Sequence, residues 1–228
     1  MDPSMNPQPL DTTRSPASAG WLDLYWLPLG ADGSRVVRVC GRLYERLAAR
    51  RAGRSPRSLY HAALKAHVEC TTYVIEVAPV WSRSEPDRGV VADGAVGSRM
   101  LGHTRWFRYE VRCWRNGVLP DEEHAVGSPV RLSTDPDRVA AVLDLAGRVP
   151  RLVWGRDELG TGEMWNSNSV IAWLLAGSGD ADVDPPVGGR APGWAAGLVA
   201  VDVSHAADRG PTSSGPMALP GSGSPGRS

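Results

Sequence analysis

The chain has 228 residues, 42% of them hydrophobic, which is enough to bury a core and gives no reason to divide it into two domains. Its 25 Lys plus Arg balance its 25 Asp plus Glu, so no overall field draws it toward nucleic acid or an anionic membrane. Cys40, Cys70 and Cys113 are odd in number and lack CxxC spacing, which argues against a disulfide framework or a zinc knuckle and fits a reducing, cytoplasmic setting.

Residues 1 to 20 and roughly 205 to 228 are rich in Pro, Ser and Gly and are expected to be disordered, leaving 21 to 204 as a single domain. The first twenty residues lack the basic start and apolar run of a signal peptide, and no later stretch has the apolar length of a membrane span.

The run Trp21 to Leu27, stopped by Pro28 and Gly30, reads as a buried strand that opens the fold. Val36, Val39, Cys40, Leu43, Tyr44 and Leu47 then recur at helical spacing, so a helix over 35 to 51 is expected to turn this stripe to the core. Arg46, Arg50, Arg51, Arg54 and Arg57 cluster where that stripe ends, where cations suit a helix C-terminus better than they mark a phosphate patch.

Tyr60 to Val68 and Tyr73 to Val80 are β-prone runs expected to pair antiparallel across a loop over 69 to 72. That loop would oppose Val68 to Tyr73, Lys65 to Glu76 and His61 to a position near Val80. His61, Lys65 and His67 share one face of the first strand, and Glu76 joins them; a cross-strand Lys65–Glu76 ion pair is the ordinary use of that carboxylate.

A strand over 107 to 115, turning Phe107, Tyr109, Val111 and Cys113 inward, is expected to join the same sheet. Asp135-Pro136 caps a second helix through Ala146, and a third begins near Asn166 and runs to Gly177. This order, with no internal repeat, predicts an α+β fold in which about three helices pack on a mainly antiparallel sheet. Trp194 and Leu198 to Val201 suggest that the segment from 178 to 204 packs on that core.

Chemistry concentrates at one point. Gly160-Thr161-Gly162 is a flexible approach, and Trp165-Asn166-Ser167-Asn168-Ser169 then leads into an apolar helix, Val170 to Leu175. The first N–H groups of a helix lack intrahelical partners and favour negative charge, so a serine there has ground for acyl chemistry. Asn and Ser are equally the preferred helix caps, and the bland use of the tetrad is to cap. A hydroxyl nucleophile also needs a base and a group that orients it, and His61 is a better base candidate than His67, which lies beside the loop.

A histidine early in a hairpin strand (Tyr60-His61-Ala62-Ala63-Leu64), then Tyr73-Val74-Ile75-Glu76, then the Asn166-Ser167-Asn168-Ser169 helix start resemble the circularly permuted papain-like group. That group includes the NlpC/P60-related lecithin retinol acyltransferase-like and PPPDE peptidase families. The resemblance implies a permuted papain-like architecture, with Ser167 at the nucleophile position, His61 as general base, Glu76 as its orienter and the Ser167 N–H as an oxyanion donor. It would make Trp165, Asn166, Asn168 and Ser169 substrate-binding. The same stretch is similar to an uncharacterised bacterial family whose Asn-Ser-Asn-Ser or Asn-Ser-Asn-Thr tetrad precedes an apolar helix containing Trp.

The chain departs from the papain-like pattern in carrying serine where those families carry cysteine. A thiol yields some thiolate near neutral pH, whereas a serine hydroxyl needs full general-base assistance. Two readings follow: a serine-dependent hydrolase or acyltransferase acting on an amide or ester, and a catalytically inactive papain-like binding or scaffold protein holding a peptide or small ligand. A third makes the domain an interaction module, because nine Trp against one Phe is an unusual aromatic balance. No metal site is expected, since the five histidines lack clustered Cys or carboxylate partners, and no nucleotide cofactor, since Gly160-Thr161-Gly162 lacks the Lys of a phosphate loop. The oligomeric state has no signature.

Overall fold

The computed structural model describes residues 20–30, 35–80, 89–119, 121–127, 129–180 and 182–208. The two expected disordered ends lie outside these residues except at their margins, 20 and 205–208. Among the described residues the fold is α+β, a seven-stranded, mainly antiparallel sheet with four α-helices. Strands β1 (Gly20–Pro28), β2 (Ser58–Val68), β3 (Thr71–Pro79), β4 (Val90–Ala95), β5 (Arg108–Arg115) and β6 (Val130–Ser133) lie in the order β4-β5-β3-β2-β1-β6. A two-residue strand, β7 (Gly189–Arg190), adds parallel to the start of β2.

The helices are α1 (Arg35–Arg51), α2 (Pro136–Ala146), α3 (Ser167–Gly177) and α4 (Trp194–Asp208). Helix α4 makes four rather than three, and it runs past the expected boundary at 204. Its first-turn Trp194 packs on Trp26 of β1, with ring centroids 5.2 Å apart. Where α4 crosses α3, a Cβ on Gly197 would stand 2.2 Å from the Ser169 carbonyl oxygen, so only glycine lets the two backbones approach this closely.

Strand alternation divides the side chains between the two faces of the sheet. Leu22, Leu24 and Trp26 of β1, Ala62, Leu64 and Ala66 of β2, Ile75 of β3, and Tyr109 and Val111 of β5 pack against buried residues of α2, α3 and α4. This is the main core. The opposite face carries a smaller cluster of Tyr25, Leu27, Ala63, Val74 and Leu119, surrounded by ion pairs: Asp23 with Arg131, Lys65 with Glu122, and Arg112 with both Glu76 and Glu110.

The β2–β3 register differs from the expected one. The turn is two residues, Glu69 and Cys70, with Glu69 in the left-handed region (φ 55°), and Val68 pairs with Thr71. Lys65 therefore opposes Val74 rather than Glu76. The slip is an even number of residues, so each side chain keeps its face. Glu76 does share the histidine face, but Arg112 is its partner there (3.3 Å), and Lys65 turns to Glu122.

The larger correction concerns α1. The helix lies where the periodicity puts it, but the stripe expected to be buried faces outward: Val39, Leu43 and Leu47 are 63%, 58% and 47% exposed, and Cys40 is exposed too. Gly41, Glu45 and Ala49, spaced by four, face the protein instead. A Cβ on Gly41 would meet Leu29 at 2.4 Å, so a small residue is what lets this face sit down. Glu45 is the latch: its carboxylate pairs with Arg54, accepts the Arg57 N–H at 2.9 Å and reaches Arg190 of β7 at 3.2 Å. Burial opposes ionisation of this carboxyl, but those donors hold it below the usual carboxylate range.

Candidate functional site

The approach to α3 is pinned rather than loose. The Asp157 carboxylate accepts the N–H groups of Thr161 (2.9 Å) and Gly162 (2.8 Å), and Gly160 and Gly162 both take left-handed backbone (φ 68° and 77°). Glu163 is spent on Arg190 and on the N–H groups of Gly193 and Ala195.

The tetrad itself is a set of structural ties. Asn166 caps α3: its Oδ1 accepts the N–H groups of Asn168 (2.9 Å) and Ser169 (3.4 Å), and its Nδ2 donates to Pro192 O (2.9 Å). The Asn166 N–H donates to Ser169 Oγ at 3.0 Å, closing a capping box. Ser169, fully buried, donates its own hydroxyl hydrogen bond to Gly193 O at 2.7 Å.

Asn168, 3% exposed, does more than cap. The β2–β3 pairing ends at Leu64–Ile75, and β7 meets β2 only at Ser58 and Leu59. In the interval, Asn168 Oδ1 accepts the Ala62 N–H (2.8 Å) and Nδ2 donates to Tyr60 O and Pro192 O (3.0 Å each). The amide thus stands in for a missing neighbouring strand, satisfying backbone groups that would otherwise be buried unpaired. Trp165 is a core residue, 1% exposed, donating from Nε1 to the Tyr109 hydroxyl at 3.2 Å. Trp165, Asn166, Asn168 and Ser169, expected as substrate contacts, hold the fold together instead.

Ser167 is half-buried in the first turn of α3, on the face of the sheet that carries Ala62 and Leu64. His61 lies directly across from Leu27 in the β1–β2 ladder, and opposed residues project to the same side. Leu27 belongs to the smaller cluster on the other face. The imidazole therefore projects from the face opposite the one on which α3 packs, and Glu76, paired with Arg112, lies on the His61 side. His67 is likewise accounted for, stacked on Trp21 (centroids 5.1 Å, planes 5° apart) and 3.0 Å from Thr72 Oγ1. Among the cysteines, burial pushes the Cys113 thiol up to about 11, which leaves it protonated and unreactive at neutral pH.

A second site carries no sequence motif. Where β1 ends and β2 begins, α1 walls a cleft of about 820 Å³, within the size range of ligand pockets. Arg38, Arg42 and Arg46 line it from one helix face, Arg57 from the entry to β2, and His124 from the turn after β5. Among the described lining residues Glu45 is the one acid, and it is already held by Arg54 and Arg190. Arg38 donates to Gly30 O at 2.8 Å, whereas Arg42, Arg46 and Arg57 have no side-chain acceptor among the described residues. The spacing of 38, 42 and 46 by four was the signal available in the sequence.

No family model, curated protein or solved structure matches the chain.

Proposed function

We propose that this is a non-catalytic binding domain whose ligand is a small anionic molecule held in the arginine-lined cleft beside α1. One observation supports the choice against the hydrolase: His61 projects from the face of the sheet opposite the one on which α3, the helix that carries Ser167, is packed. A serine without a base in hydrogen-bond reach has no route to lose its proton, and the cap takes the N–H groups of Asn168 and Ser169, which leaves the Ser167 N–H without these two neighbours to share an oxyanion. The permuted papain-like architecture stays a proposal about chain order. In its favour are a histidine strand followed by a polar-headed helix packed on the sheet; against it stands the face that the histidine takes. Three free cysteines, two of them exposed, support a reducing, cytoplasmic setting.

A guanidinium fork matches phosphate and carboxylate oxygens bidentately, so several arginines without acceptors in one concave wall favour a phosphorylated or polycarboxylate ligand. Two measurements test this. A fluorophosphonate probe should label wild type and Ser167→Ala alike; labelling lost in both Ser167→Ala and His61→Ala would restore the hydrolase. In calorimetry, inorganic pyrophosphate should bind wild type, and Arg57→Ala should weaken it about tenfold, the loss of one charge-assisted bond. Absence of pyrophosphate and citrate binding in wild type would overturn the cleft assignment.

A further inference from the structure

The apolar stripe on α1 has a counterpart elsewhere. Between β4 and β5 the chain makes two short 3-10 turns, Leu101–His103 and Arg105–Phe107. There Met100, Leu101, Trp106 and Phe107 are 83%, 43%, 64% and 42% exposed. Trp106 is the one exposed tryptophan among the described residues. Strand register puts both features at one end of the sheet. Pro28, where β1 leads toward α1, pairs with Tyr60, and Pro79 at the same end of β3 pairs with Tyr109, the residue after the turns meet β5. Two separate apolar patches at one end exceed the scattered exposure ordinary for a soluble surface.

Charge decides the occupant. Helix α1 contains six arginines and one acid, Glu45, which is buried and already paired. A second copy laid helix against helix would bring arginines to arginines. On the helix surface Arg42 and Arg46 flank the Val39-Leu43-Leu47 stripe on one side and Arg51 on the other, the arrangement of a helix that beds its apolar face between anionic headgroups while long cationic side chains reach outward. At the other patch, Arg105 lies over the Trp106 ring (5.8 Å), and interfacial tryptophan with arginine is at home at headgroup depth. Nucleic acid would use the cations but leave both apolar patches in water, and the stripe is a convex helix surface with no groove to seat a peptide.

We propose that this end of the sheet docks on an anionic phospholipid surface, with the α1 stripe and the turn over 100–107 as two apolar anchors and their arginines as headgroup contacts. The chain's zero net charge conceals this local excess. Two weak anchors together give the binding that neither supplies alone. Among the described residues no helix is long and apolar enough to cross a membrane, and the attachment proposed is peripheral.

Vesicle co-sedimentation tests it. The full chain should sediment with vesicles of phosphatidylcholine containing phosphatidylserine and not with phosphatidylcholine alone, and added salt should weaken the association. Leu43→Asp with Leu47→Asp, and separately Trp106→Ser, should each weaken it about tenfold, and Arg46→Glu about fivefold or more. All these side chains are exposed, so circular dichroism should match wild type. Pyrophosphate binding should survive Leu43→Asp with Leu47→Asp, whereas Arg57→Ala should weaken pyrophosphate about tenfold and keep vesicles, so the failure of the cleft and the failure of the docking surface read separately. No sedimentation with phosphatidylserine vesicles, sedimentation indifferent to the apolar substitutions, or preference for an acidic peptide or nucleic acid over vesicles would overturn the proposal.

Discussion

Helix α3 is buried through eight consecutive residues, Asn168 to Leu175, and spends its polar head on backbone groups of β2 and of the segment before α4. Helix α1 meets the protein through Gly41, Glu45 and Ala49 and offers its largest apolar side chains to solvent. One helix is held by packing on all sides, and the other by a carboxylate latch and a narrow strip of small residues. Polar residues at a helix start can therefore be structural cement, while an apolar stripe of conventional appearance can be a surface. Burial depends on which face finds a partner, and amphipathic periodicity alone does not name that face.

Three substitutions sharpen the contrast. Asn168→Ala should have the largest effect, because it strands the Ala62 N–H and the Tyr60 carbonyl without the amide that pairs them and removes one of the two donors to Pro192 O; a loss of about 3 kcal/mol or more in chemical denaturation is expected. A loss under about 0.5 kcal/mol would mean that the amide is not replacing a strand neighbour.

Glu45→Ala should act locally. Amide exchange across 38–51 should speed up markedly while α3 stays protected, with a global cost of about 1–2 kcal/mol. The same contrast should emerge with pH. The Glu45 carboxyl titrates lower in the folded protein than when unfolded, so its contribution is complete at neutral pH and is lost as pH falls through its depressed folded value. Wild-type α1 should thus loosen only in acid, and uniform loosening of α1 and α3 would refute the latch.

Leu43→Ser with Leu47→Ser should have the smallest effect on stability, within about 0.5 kcal/mol per site, because both side chains are largely in water. Were the stripe a core face, each change would cost roughly 2–5 kcal/mol.

Much of the fold was legible along the chain. The runs from Trp21, Tyr60 and Tyr73 are strands β1, β2 and β3; the run from Phe107 is β5 only from Arg108, since Phe107 ends a 3-10 turn and is exposed rather than turned inward; and Asp135-Pro136 opens α2 with the Asp135 side chain accepting the Asp137 N–H at 3.0 Å. Strands β4, β6 and β7 were missed because they are short and lean on neighbours: Val130 to Ser133 is a strand through β1, and Gly189-Arg190 through the start of β2. The turn at Glu69-Cys70 was hidden because a non-glycine residue carries its positive φ.

The candidate site was legible as a set of residue types and misleading as a set of positions. Asn166, Ser167, Asn168 and Ser169 announce a helix start, and the local capping geometry accounts for Asn166 and Ser169. Asn168 could not be understood locally, since its partners lie 106 and 108 residues away on β2. Arg46, Arg50 and Arg51 read in the sequence as a cationic helix end, whereas Arg38 and Arg42, which share the cleft wall with Arg46, carry no local signal beyond their spacing.

By itself, then, the sequence determined where this chain forms helices and strands, because capping, alternation and 3.6-residue periodicity are local properties of the backbone and its nearest side chains. Only the tertiary structure decided which way each element faces: that His61 projects from the face of the sheet opposite α3, and that Gly41, Glu45 and Ala49 turn inward while Leu43 and Leu47 turn out. Orientation is set by contacts between segments distant in the chain, such as Glu45 with Arg190 and Asn168 with Ala62, and no periodicity within either segment encodes its partner.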